Sequence, residues 1–178
     1  RGIVTSSPST PRAVSSDSPT SVVDTVVLRY FLLVDESDLL VDLLGAPLGV
    51  PRIIFDPEED PATPDDARSE ITRSLSYQNR ASRDPARDPI AQAEAAQHAG
   101  RLRTIEAMHR AGQTDVIDLV DEERDLFARL TSPTTCKAFG LRFPLDPGEA
   151  ACLAIAVSRD LVLATDDADA LSALDHHR

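Results

Sequence analysis

Short β-branched runs in this chain stop at a carboxylate and hand over to an apolar helical stretch, and that handover restricts the fold more than any other feature. Ser21-Val22-Val23 runs into Asp24-Thr25, and Leu161-Val162-Leu163 runs into Ala164-Thr165-Asp166-Asp167. A third acid, in Gly148-Glu149-Ala150-Ala151, opens an apolar run. Strands separated by helices imply a parallel sheet covered on both faces. In open sheets of that kind the working crevice lies outside the carboxyl ends of the strands. Carboxylates delivered there by different strand ends and helix starts can converge on one hard cation, which points to a Mg²⁺ or Mn²⁺ site.

The remaining elements follow from periodicity and punctuation. A strand near 21–24 leads into an apolar helical stretch from Val26 to Val34, then a helix from Asp38 to Leu44 with Leu39, Leu40, Leu43 and Leu44 on one side, ended by Gly45. Arg52-Ile53-Ile54-Phe55 reads as the second strand. Pro57, Pro61 and Pro64 stiffen the next loop, and Asp65-Asp66 opens a helix carrying Ile71 and Leu75. Asp84-Pro85 to Asp88-Pro89 separates it from one long amphipathic helix ending near Gly112. Val116 to Leu119 is a third strand, Asp121 to Leu130 a helix, Pro147 to Ser158 an apolar helix, Leu161 to Ala164 a fourth strand, and Asp167 to Leu174 a closing helix.

With 178 residues and 42% hydrophobic content the chain suffices for one domain with a proper core. No apolar run approaches the roughly 18 residues of a membrane span, so a soluble globular protein is expected, with no membrane partner. Residues 1–20 are rich in Ser, Thr and Pro and are expected to form a disordered tail ahead of a domain at 21–178. Neither an initiator Met nor the apolar core of a signal peptide stands at the start, which points to a fragment or an unusual start codon and to a cytoplasmic location. Cys136 and Cys152 are too few for a disulfide scaffold, and Cys152 reads as a buried thiol. His98 and His109 are isolated and His176-His177 stand at a terminus, so zinc is not indicated.

A formal net charge of -12 argues against nucleic acid as a partner until it is resolved by segment. Between residues 68 and 110, eight arginines face five acids, a local charge of +3 that leaves -15 for the rest. This helical, Arg-rich segment, at about 65–112, is either a solvated face laced with ion pairs or a phosphate-binding surface built on Arg73, Arg80 and Arg83.

The opening VVDTVVLRYF resembles the start of a PIN domain, and LDPGEAACLAIAVSRDLVLATDDADA resembles its C-terminal half. The resemblance covers roughly residues 21–175, with little recognisable motif at about 56–140. It implies a PIN-like three-layer α/β sandwich with a mostly parallel sheet of four to five strands. It also implies a metal-dependent nuclease that cuts RNA; many bacterial members are toxins held inactive by an antitoxin, and a homodimer is a further expectation. Position by position, the resemblance assigns Asp24, Glu149 and Asp167 as catalytic acids, with Asp166 competing with Asp167 for the metal. A middle carboxylate falls best on Glu70, with Asp66 as the other choice. Members commonly continue into a fifth strand, whereas this chain stops at His176-His177-Arg178.

The chemistry stands on its own reasons. Mg²⁺ takes oxygen ligands in near-octahedral geometry, so carboxylates hold it while a phosphate takes another position. Thr25 and Thr165, each beside an acid, are placed to orient a carboxylate, a water or the substrate through their hydroxyls. Each acid also has a plain structural account. Glu149 follows Asp146-Pro147-Gly148 and reads as the third residue of a capping box, and Asp166 or Asp167 reads as a helix cap. Asp24 resists such an account, because an acid between an apolar strand and an apolar helix sits with little water around it.

Two other functions are weighed. A haloacid-dehalogenase-like phosphatase wants a second Asp two residues after the first, where Val26 stands, and Lys137 is the only lysine available to it. A PIN-shaped binding module without activity predicts acids that fail to converge, or a site filled by Arg29 or another cation.

Overall fold

The computed structural model describes residues 18–177, and most of the expected tail lies outside them. The chain is an α/β sandwich around a four-stranded sheet, with strand order β3-β2-β1-β4 and every pairing parallel. The strands are β1 (Ser21–Val23), β2 (Leu48–Pro51), β3 (Thr114–Ile117) and β4 (Val162–Ala164). Between them run α1 (Thr25–Leu33), α2 (Ser37–Leu44), α3 (Glu70–Ala81), α4 (Pro89–Leu102), α5 (Thr104–Arg110), α6 (Asp121–Leu130) and α7 (Pro147–Arg159), and α8 (Ala168–His177) follows β4. No helix among the described residues is long and apolar enough to cross a membrane.

Register is fixed by the central strand. Ser21 lies opposite both Leu48 and Val162, and Val22 opposite both Gly49 and Leu163. Val22 and Val23 are fully buried, as a central strand covered on both faces requires. Thr20, just ahead of β1, already joins the ladder by accepting the Val162 N–H at 3.0 Å. One core gathers Leu28, Leu32, Leu48, Val50, Ile54 and Ile155 around the sheet. A second joins α6, α7 and α8 through Leu130, Phe139, Leu153 and Ala170. Burying each such Leu or Ile stabilises the fold by roughly 1.5–3 kcal/mol.

Two expected elements differ. The second strand is Leu48–Pro51, ahead of the expected Arg52 to Phe55. Pro51 tolerates the strand end because Leu48 and Arg52 donate toward β3, so the donor Pro51 lacks would face β1, past the last β1 pairing of Val22 with Gly49. Ile54 and Phe55 are buried from a turn instead, at 0% and 4% exposure. The long helix ending near Gly112 is broken at Arg103 into α4 and α5. Its buried residues run Ala95, Ala99, Leu102, Ile105, Met108. Consecutive spacings of three rotate an apolar stripe by about 60° per step on an unbroken helix, and the break restores its aim at the core.

Strand order also locates a crevice. From β1 the chain adds β2 and β3 on one side and then crosses to place β4 on the other. The direction reverses between β1 and β4, and ligands of open α/β sheets bind outside the carboxyl ends of strands at such a reversal.

Candidate functional site

Asp24 follows the last residue of β1 and caps α1; Thr165, Asp166 and Asp167 follow β4. Both segments emerge at the reversal point. Two further helices start there. Glu70 is the first residue of α3, and Glu149 lies in the first turn of α7. Helix N-termini therefore carry every acid of the group, and the positive end of each helix dipole offsets part of the repulsion among them. Asp24, Thr25, Glu70, Arg73, Asp146 and Glu149 line one cavity of about 450 Å³, with Arg29 and Ser74 on its wall.

Hydrogen bonds fix the acids in different degrees. Asp24 is 1% exposed and accepts the Thr165 hydroxyl at 3.1 Å. Burial pushes its carboxyl above the usual range, while Thr165 and the first N–H groups of α1 pull it back. Glu70 accepts the Thr25 hydroxyl through Oε2 and the Gly148 N–H through Oε1 at 3.1 Å. Gly148 permits that approach, since a Cβ there would stand 2.7 Å from Glu70 Oε1. Glu149 accepts the Asp146 N–H at 3.2 Å, the helix-start bond read from the sequence. Its carboxyl is pushed up to about 7, first by burial and then by the charges of Asp167 and Asp24. Cys152 lies beneath them, fully buried, its thiol directed at the Val23 carbonyl at 3.5 Å. Burial raises that thiol well above its usual range, and Asp24, Glu70 and Glu149 all add to the rise.

Asp167 accepts the Ala170 N–H at 2.7 Å as the cap of α8, and its own N–H donates to the Thr165 hydroxyl at 3.1 Å. Asp166 is exposed; its charge reaches Asp24. Both sit at the border of the cavity rather than on its lining. Asp66, the other choice for the middle carboxylate, belongs to a short 3₁₀ turn, Asp65–Ala67, and is exposed away from the cavity. Of the arginines read as substrate contacts, Arg73 lines the cavity, Arg80 is paired with Asp65 at 2.6 Å, and Arg83 is exposed beyond the end of α3. Much of the Arg-rich segment is committed elsewhere: Arg68 to Asp65, Arg87 to Asp84, Arg101 to the Leu33 carbonyl and Arg103 to Asn79. Asp146 and Arg29 are lining residues to which sequence reasoning gave no active role. Asp146 was legible only as a cap, and Arg29 only as a cation that would fill the site of an inactive binding module.

The donor set, carboxylate and hydroxyl oxygens with the one nearby thiol buried, suits a hard cation in its chemistry. As the side chains stand, no group of three or more His, Cys, Asp and Glu among the described residues is arranged to hold a metal ion. Glu70 is turned toward Thr25 and Gly148, and Glu149 toward the start of its own helix. A second cavity, of about 490 Å³, is also lined by acids, Asp56, Glu59, Asp60 and Glu106, beside Arg68 and His109, but Asp56 there is paired with Arg52 at 2.7 Å. Arg68 there is spent on the Thr63 and Pro61 carbonyls, and Glu59 accepts the Ser69 N–H at 2.7 Å.

The raised carboxyls have a consequence for stability. A carboxyl whose folded-state value lies above its unfolded value binds a proton on folding, so its contribution is fully present below the unfolded value and lost as pH rises through the folded one. For Glu149 that window runs from about 4.5 to about 7. In EDTA the wild type is expected to lose roughly 1–2 kcal/mol between those limits, after discounting for the water that reaches the group. Glu149→Gln should flatten the profile. Urea titrations at several pH values check this, and identical profiles for the two proteins would show that Glu149 does not carry the pH dependence. Comparison with protein-family models, with curated proteins and with solved structures yields no match.

Proposed function

We propose that this protein is a metal-dependent ribonuclease of PIN type, with RNA as substrate and Mg²⁺ or Mn²⁺ as cofactor. The observation that carries the reading is the meeting of Asp24, Glu70 and Glu149, from three separate helix starts, in one cavity at the strand-order reversal. Burial raises the Asp24 and Glu149 carboxyls, and the charge of Asp24 adds to the rise at Glu149. Such an arrangement is costly unless a ligand of opposite charge is part of the working state. Asp24 and Glu149 would hold the cation, Glu70 would join them by releasing Thr25, and Thr165 would keep Asp24 oriented. When bound, the cation neutralises charge on the scissile phosphate and makes a bound water more acidic. A toxin held by an antitoxin is the biological setting this reading suggests.

A second reading, a binding module of the same shape without activity, draws on the side chains as they stand, which form no metal-holding group among the described residues. The phosphatase reading gains no support, because Lys137 is exposed in the 3₁₀ turn Cys136–Phe139, outside the cavity lining. Incubation of labelled single-stranded RNA with the protein in Mg²⁺, Mn²⁺ or EDTA separates the two. Cleavage dependent on the cation supports the nuclease. RNA left intact in all three, with a melting temperature indifferent to Mn²⁺, would leave only the binding module.

A further inference from the structure

Two arginines share the acidic cavity without neutralising it. Arg29 stands four residues after Thr25 on α1, and Arg73 three residues after Glu70 on α3. Each therefore lies about one helical turn, roughly 5.4 Å, beyond the acidic end of its helix. Side chains on a helix tend to lean toward its N-terminus, and both arginines line the same cavity as the acids. Neither makes an ion pair or a side-chain hydrogen bond within the described residues. Arg29 Nε is, moreover, buried without any partner. A buried donor left unpaired costs roughly 1–3 kcal/mol, and the side chain that bears it lines the cavity. The nearby carboxylates are spoken for: Glu70 by Thr25 and Gly148, Asp24 by Thr165 and Glu149 by the Asp146 N–H.

Resting on the ribonuclease reading, we propose that Arg29 and Arg73 form a phosphate subsite one helical turn from the acids, which grips the phosphate next to the one being cleaved. The planar fork of a guanidinium matches two phosphate oxygens, and each oxygen is an acceptor for a donor such as Arg29 Nε. A run of acids repels the polyanion that the site must hold, and two uncommitted cations at its wall counter that repulsion locally in a protein of net charge -12. The cavity, about 450 Å³, accepts a nucleotide-sized group. A single-stranded RNA, whose successive phosphates can turn into the cavity, is the substrate form this subsite fits.

Fluorescence anisotropy with a short labelled single-stranded RNA in Ca²⁺, an oxygen-ligand cation used in place of Mg²⁺ so that the probe stays intact, as a gel verifies, tests the subsite by binding rather than by turnover. Arg29→Gln and Arg73→Gln are each expected to weaken binding about tenfold. Each should also lower the slope of log affinity against log salt by about 0.7. Arg124→Gln on α6, which removes the same charge from a residue paired with Asp121, sets the effect of bulk charge alone. Circular dichroism melts establish that the variants fold; Arg73 is exposed, and its variant carries the test if Arg29→Gln does not fold. Wild-type binding with Arg29 and Arg73 variants no weaker than Arg124→Gln overturns the subsite and leaves the nuclease reading standing. A wild type that does not bind RNA overturns both.

Discussion

Asp24→Asn is expected to reduce RNA cleavage by roughly a thousandfold or more while the protein stays folded. The substitution keeps the shape of a side chain that is 1% exposed and keeps an oxygen able to accept the Thr165 hydroxyl. On the ribonuclease reading it removes the charge that would share a cation with Glu149. In EDTA the variant should melt no lower than the wild type and somewhat higher, because Asp24 contributes to the repulsion that raises Glu149. Adding Mn²⁺ in large excess over its dissociation constant should stabilise the wild type by about 2–3 kcal/mol through mass action, and the variant by much less. A melting series with and without Mn²⁺, run beside the cleavage assay, checks both halves. Equal responses to Mn²⁺, or undiminished cleavage, would make Asp24 a structural residue.

The largest loss of stability is expected at the opposite side of α7. Glu123 is 1% exposed and accepts three hydrogen bonds: Arg159 Nε at 2.7 Å, a terminal Arg159 nitrogen at 2.9 Å, and the Val120 N–H at 2.8 Å. Arg159 also donates to the Asp118 carbonyl at 2.9 Å, so the pair ties α6 to the end of α7. Arg159→Ala leaves a buried carboxylate without its cation. Breaking one side of such a pair costs about 3–5 kcal/mol when both partners are dry. With Arg159 37% exposed, about 3 kcal/mol is expected, or roughly 10 °C in melting temperature. Burial alone would raise the Glu123 carboxyl, but Arg159 and the Val120 N–H hold it below its usual value. A lowered carboxyl contributes stability above its unfolded value, about 4.5, and loses it as pH falls through the folded one. The gap between wild type and Arg159→Ala should therefore close on acidification, and urea midpoints at neutral and acidic pH measure it. A gap that persists in acid would assign the loss to packing of the Arg159 stem.

The arginines show where reading by residue type fails. Arg73 and Arg80 are seven residues apart on the same helix, nearly two full turns, and the sequence offers no reason to separate their roles. In the fold Arg73 reaches the cavity and Arg80 meets Asp65, fifteen residues back in the chain, whose position depends on how the Pro57 to Pro64 loop closes. Arg29 was noted only as a residue that could fill the site. What the side of α1 that bears it would face was not legible along the chain.

What the sequence by itself determined was local. Runs of β-branched residues stopped by acids, Gly45 after α2, and Asp146-Pro147-Gly148-Glu149 at the head of α7 act within a few residues, through backbone propensity and capping, and they survive in the fold. The alternation of those elements was enough for a parallel α/β sheet. Only the tertiary structure decided which short run became β2, because Ile53 to Phe55 is the more apolar run and Leu48–Pro51 contains a Gly and a Pro, yet the choice rests on pairing with Ser21 and Thr114. Only it decided that β4 crosses to the far side of β1, bringing Thr165 to Asp24 across 141 residues and Gly148 to Glu70 across 78. Such contacts depend on how elements pack rather than on any spacing along the chain, and the cavity they enclose exists only once the sheet has been ordered.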